Sequence, residues 1–127
     1  MVLEDLNLAL EPLKFMEFSL EGTTQGCLIG RTGACTVNLP APARYAVHKL
    51  IVFGERPASK RTKSRKDLLQ AASLADYHAR SGEAGAFNEA WRDGLGRGRG
   101  WKSRALEGKR ALLRLAPELD QPGLWKA

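Results

Sequence analysis

Arg44, His48 and Lys49 are the groups in this chain best suited by type and spacing to grip and neutralise a phosphate. They fall in Leu39-Pro40-Ala41-Pro42-Ala43-Arg44-Tyr45-Ala46-Val47-His48-Lys49-Leu50-Ile51-Val52, where Ala43, Ala46, Val47, Leu50 and Ile51 recur at helical spacing as a core-facing stripe. Residues four apart are neighbours on a helix, so the pairs Arg44/His48 and Tyr45/Lys49 are expected to project from the side opposite that stripe. A lysine there supplies a point charge and an arginine a two-pronged grip. The competing reading is an ordinary solvated helix face, with His48 at the surface or satisfied by a neighbouring carbonyl.

A second cluster places five basic residues in seven: Lys60, Arg61, Lys63, Arg65 and Lys66, with Asp67 directly after. Positive charge near a helix start opposes the macrodipole, so local propensity does not favour it there. Asp67 stands four residues after Lys63, within reach of an ion pair, and beside Leu68 and Leu69, which suggests the edge of a packed groove. The candidate phosphate-binding set is therefore Arg44, His48, Lys49, Arg61, Lys63, Lys66 and Asp67, expected as one patch where the first two main helices meet. A solvated charge run is again the alternative.

Other constellations carry less. Gly94-Leu95-Gly96-Arg97-Gly98-Arg99-Gly100 is expected as a flexible link, since glycine costs a helix about 1 kcal/mol per position. It has two arginines and no aromatic, too little for an RNA-binding arginine-glycine segment. Two-metal nucleotidyl transfer needs convergent carboxylates. Glu118-Leu119-Asp120 has alternate spacing but lies in the terminal segment, and Glu4-Asp5 is adjacent, which on a strand sends the carboxylates to opposite faces. No catalytic residue and no metal ligand is assigned. Cys27 and Cys35 could face each other across a hairpin only with a three-residue loop, and are read as two buried thiols.

The order and spacing of the Pro40 to Ile51 segment and of Lys63-Ser64-Arg65-Lys66-Asp67-Leu68-Leu69-Gln70-Ala71, with Gly100-Trp101-Lys102 before Ala105-Leu106, resemble a bacterial family of polymerase-β-like nucleotidyltransferases. The likeness is to the half that follows the catalytic carboxylates, which in such enzymes come after a Gly-Ser pair. It implies that Lys49 is directed at nucleotide phosphates, that Lys63 and Lys66 meet phosphate, and that Asp67 orients a lysine or arginine. Magnesium is implied only for an active transferase, and no other cofactor.

The elements that must position these groups follow from periodicity. Gln25 to Ile29 and Ala34 to Leu39 read as a hairpin about Thr32-Gly33, and an isolated hairpin is marginal, so it should pack on helices or extend a sheet. Helices are expected from Ala43 to a stop at Gly54, from about Lys60 to Arg80 (Leu68, Ala71, Ala72, Ala75, Ala79 inward), from Glu83 to about Leu95 (Phe87, Ala90, Trp91), and from about Trp101 to Leu115 (Trp101, Ala105, Leu112, Leu115). Ahead of them, Leu3 to Leu20 suits a short helix or strand, a break at Pro12, then a strand. The fold class is α+β, predominantly helical, with a short β-hairpin packed against about four helices. A single domain over 1–116 comprises an N-terminal segment and hairpin (1–39) and a helical part (40–116), and a C-terminal tail covers 117–127, frayed apart from whatever Trp125 contacts.

Composition bounds the function. Residues 1–25 carry five acids against Lys14, whereas the remainder of this net +6 chain is strongly basic and should attract polyanions. No apolar run is long enough to span a bilayer, and Glu4 and Asp5 stand where a signal peptide carries positive charge, so a cytoplasmic protein without a membrane partner is expected. Three functions compete. One is a nucleotidyltransferase-fold module, inactive alone, binding nucleotide or nucleic-acid phosphates. Another is an adaptor that meets a protein partner, such as a separate catalytic half, through its N-terminal segment and hairpin. The third, an active nucleotidyltransferase with unusual metal ligands, is the least favoured. A homodimer through exposed Leu3, Leu6, Phe15 and Phe18 is also expected.

Overall fold

The computed structural model describes residues 2–3, 8–9 and 14–127. Strands β1 (Val2–Leu3) and β2 (Leu8–Ala9) pair antiparallel, followed by helix α1 (Met16–Leu20). The hairpin β3 (Thr24–Gly30) and β4 (Gly33–Leu39) comes next, then α2 (Pro42–Glu55), a 3-10 turn at Ala58–Lys60, α3 (Arg61–Arg80), α4 (Ala84–Gly96) and α5 (Arg99–Leu115). A 3-10 turn at Pro117–Leu119 and the short α6 (Pro122–Trp125) complete it. The α+β, predominantly helical class is what the stripes imply. No helix among the described residues is long and apolar enough to cross a membrane.

Helix α2 is the hub. Its Ala46, Val47, Leu50 and Ile51 are fully buried, and α3, α4 and α5 pack around it with Ala71, Ala75, Phe87, Trp91, Ala105 and Leu112. The α2–α5 crossing is unusually close because two glycines form it. A Cβ on Gly54 would come within 2.5 Å of the Arg104 carbonyl oxygen, and one on Gly108 would strike the Leu50 carbonyl. Gly54 is therefore not the helix stop expected of it. The helix runs on to Glu55 and ends where Arg56 turns extended, as the residue before Pro57 must.

Several expectations are corrected. The segment after Pro12 is helical at α1 rather than a strand, with Phe18 fully buried. Gly94 and Gly100 lie inside α4 and α5, so the glycine-rich link shrinks to Arg97 and Gly98; a Cβ on Gly94 would come within 3.1 Å of Val47. Leu115 closes α5 on its exposed side. The terminal segment is packed rather than frayed: Leu119, Leu124 and Trp125 are buried, and the Trp125 indole donates to the Leu119 carbonyl at 2.8 Å. Trp125 also meets Trp91 and Phe87 edge-on, with centroids 5.0 and 5.1 Å away.

The hairpin forms where expected, but its strands are exposed on both faces, with only Gly26 and Val37 half-buried. Its turn is the two residues Arg31 and Thr32, so Cys27 pairs with Thr36 and Cys35 with Leu28. That register puts the two thiols on opposite faces, both exposed and free, not buried. Of the apolar residues expected to mediate a homodimer, Phe18 is in the core and Phe15 packs edge-on against Trp101 at 4.9 Å. Leu6 and the side chain of Leu3 lie outside the described residues, as do the carboxylates of Glu4 and Asp5.

Candidate phosphate site

Asp67 anchors the site from below. It is 3% exposed, on the inward face of α3, and an isolated carboxylate there would be costly. Lys49 reaches it from α2, its Nζ donating to Oδ1 at 3.1 Å, and Arg56 approaches from the end of the same helix with Nε 2.9 Å from Oδ2. The second contact is an ion pair without a hydrogen bond, because the N–H is not aimed at the oxygen; Arg56 Nε and Asp67 Oδ2 are both otherwise unpartnered among the described residues. The guanidinium is thus held by charge but not locked by geometry. Lys49 Nζ also lies 5.0 Å from the Tyr45 ring centroid.

Above this triad opens a cleft of about 440 Å³ between α1, the second half of α2 and the turn after it. Phe15, Met16, Val52 and Pro57 give it apolar walls, Lys14, Lys49, Arg56 and Lys60 give it positive charge, and His48 and Glu55 also line it. Phe15 holds a left-handed backbone (φ 65°), which costs a non-glycine residue about 1–2 kcal/mol. That conformation turns its carbonyl toward His48, whose Nδ1 donates to it at 3.1 Å. A carbonyl only accepts, so the proton sits on Nδ1 and Nε2 is left as an acceptor. Burial pushes the His48 imidazole below its ordinary range, opposed by this hydrogen bond. Glu55, on the rim, is held low by Lys14 and then Arg104, which both bond its carboxylate.

The candidate residues separate into three groups. Lys49 and His48 line the cleft, and Asp67, buried behind its wall, is joined to it through Lys49 and Arg56. Arg44 does not project freely from α2, because α1 and α4 pack over that side. Its Nε donates to the Phe18 carbonyl at 2.7 Å, Nη1 to Asp93 at 2.8 Å and Nη2 to Glu21 at 3.0 Å. His48 is likewise buried instead of solvent-facing. Lys63 and Lys66 are exposed on α3 away from the cleft walls, and the side chain of Arg61 lies outside the described residues. Lys63 does not pair with Asp67, which is taken by Lys49 and Arg56. Helical spacing did not point to Arg56 or Lys14; the one available signal for Arg56 was its place between a helix end and Pro57.

Arg97 completes a second network with Arg44. It bonds Glu21 and Asp93 together, and the Arg97 guanidinium holds both carboxyls below their usual range, while Arg97 itself is raised. These two acids approach each other, but two guanidiniums already neutralise them. Among the described residues no three of His, Cys, Asp and Glu are grouped to hold a metal ion. The carboxylates described do not fit a magnesium pair.

A family model described as nucleotidyltransferase matches residues 1–96, which takes in α1, the hairpin, α2, α3 and α4. No curated protein matches the chain, and no solved structure does.

Proposed function

From a chain that belongs to this nucleotidyltransferase family, we propose a module that binds nucleotide phosphates in the cleft over Asp67 and does not by itself transfer nucleotides. It corresponds in this reading to the part of a polymerase-β-like fold that follows the catalytic carboxylates. One observation carries it: Lys49 and Arg56, which line the cleft together with Lys14 and Lys60, converge on one buried carboxylate. Asp67 holds the two inner cations in place, and the loosely aligned Arg56 can turn toward an incoming anion without breaking a hydrogen bond. The apolar wall of Phe15, Met16, Val52 and Pro57 suits the uncharged part of a nucleotide. Titration with nucleoside triphosphates and the matching nucleosides tests this. Triphosphate binding that weakens at least tenfold in Lys49→Met, with little binding of nucleoside, is expected; equal affinity of the variant and parent would overturn it.

A second reading rests on the hairpin. Its strands carry no charged residue, Leu28 and Ile29 are 62% and 79% exposed, and both outer edges are unpaired among the described residues. Such an edge can accept a strand from a protein partner, including a separate catalytic half. Val37→Lys on β4 should weaken that association and leave the cleft untouched.

A further inference from the structure

The chain's cations divide into those that meet carboxylates within the fold and those that do not. Lys14, Arg44, Lys49, Arg56, Arg80, Arg97 and Arg104 all meet carboxylates within the fold. On α5, by contrast, Arg99, Lys102, Arg110 and Arg114 are exposed, and none is within ion-pair distance of an acid among the described residues. At 100° per residue these four fall within one third of the helix circumference, with Leu106 between them, on a stripe about 22 Å long. Glu107 flanks the stripe and Asp120 borders the adjoining groove, yet neither closes a pair with it.

Helix stability accounts for only part of this placement: Arg114 stands in the closing turn, where positive charge suits the dipole, but the others gain nothing of the kind. Arg99 and Lys102 stand in the opening turn, which contains no acid, where positive charge opposes the helix dipole. Arg110 and Arg114 are like charges four apart, which is mildly unfavourable. The stripe also lies beyond the family match, which ends at residue 96. We propose that this face of α5 is a second anion site, separate from the cleft, that docks along the sugar–phosphate backbone of a nucleic-acid duplex. Four cations over about 22 Å match a run of phosphates better than a single phosphate group. The stripe has no stacking platform, since Trp101 points to the other side and packs on Phe15, so base stacking with a single strand is not provided for. Contacts of this kind carry no sequence preference.

Titration of the whole chain with a short RNA duplex and a short DNA duplex at several salt concentrations tests the proposal. Binding is expected at low salt, and replacing all four residues by glutamine should lower the salt slope by about three to four, following roughly 0.9 per phosphate contact. Should that variant fold poorly, Arg99→Gln with Lys102→Gln, and Arg110→Gln with Arg114→Gln, should each remove about half of it. Lys49→Met should bind duplex like the parent, which separates this site from the cleft. Binding of either duplex, or both, through these four residues upholds the proposal. It is overturned if the parent binds neither duplex at low salt, if the slope is unchanged in the glutamine variants, or if polyglutamate binds through these residues more tightly than duplex.

Discussion

Asp67 and Lys49 sit 18 positions apart on successive helices and are joined at 3.1 Å beneath the cleft, so the carboxylate fixes the height and direction of the ammonium. Removing one partner of a buried pair costs more than the pair itself contributes, because the other charge is stranded. Asp67→Asn leaves both Lys49 and Arg56 without their counter-charge and should destabilise the fold by about 3 kcal/mol. Lys49→Met leaves Arg56 beside the carboxylate and should cost clearly less. Urea denaturation of the two variants measures the difference.

The α2–α5 crossing gives a sharper test of packing. Alanine in place of a helical glycine ordinarily stabilises by about 1 kcal/mol, but at Gly108 the added methyl strikes the Leu50 backbone, which cannot rotate away. Gly108→Ala should therefore destabilise by about 3 kcal/mol, whereas Gly85→Ala, which meets nothing, should not. Thermal melts of the two proteins decide this.

Acid should weaken the Glu21–Arg44–Asp93–Arg97 network. Carboxyls lowered in the folded state contribute stability that is present above their unfolded values and is lost as pH falls through the folded ones. Stability should fall as pH drops below about 4, and Asp93→Asn should have a shallower decline than the parent. Denaturant midpoints between pH 3 and 6 measure it.

His48 acts in a different window. Its imidazole is lowered by burial, so the unfolded chain takes up the proton first, and stability should be full above about pH 6.5 and decrease below it. Lys49, Asp67 and Glu17 also act on this ring, so the comparison must be between the parent and His48→Gln, which retains a donor for the Phe15 carbonyl. The variant should lose part of the slope between pH 5 and 7.

The hairpin register makes a covalent prediction. With Cys27 and Cys35 on opposite faces, oxidation cannot join them within one chain. Mild oxidation should give disulfide-linked dimers and larger species, which persist as dimers in Cys27→Ser and in Cys35→Ser and vanish when both are replaced. Non-reducing electrophoresis resolves these forms.

What the sequence disclosed was mostly local. The stripes of α2 and α4 can be read from Val47, Leu50, Phe87 and Trp91 because each helix buries one face, and the hairpin from its turn and β-prone flanks. The meeting of Asp67 with a basic side chain followed from the family resemblance. Arg44 could not be placed that way, because its partners Glu21 and Asp93 lie 23 and 49 residues off and only the packing of α1 and α4 brings them to it. Gly54 and Gly108 were equally opaque, since a glycine needed for backbone contact looks like one that ends a helix. The exposure of the hairpin was missed because period-two alternation says nothing about whether either face is covered.

That exposure implies an uneven distribution of opening rates. Among the described residues the amides of β3 and β4 are protected by a two-stranded ladder alone, while those of α2 are enclosed by α1, α3, α4 and α5, so the hairpin should exchange hydrogen for deuterium long before α2 does. The fast-exchanging segment would then report on whatever covers it: a strand added to either edge should slow the hairpin amides selectively, while a nucleotide in the cleft should leave them at their original rate.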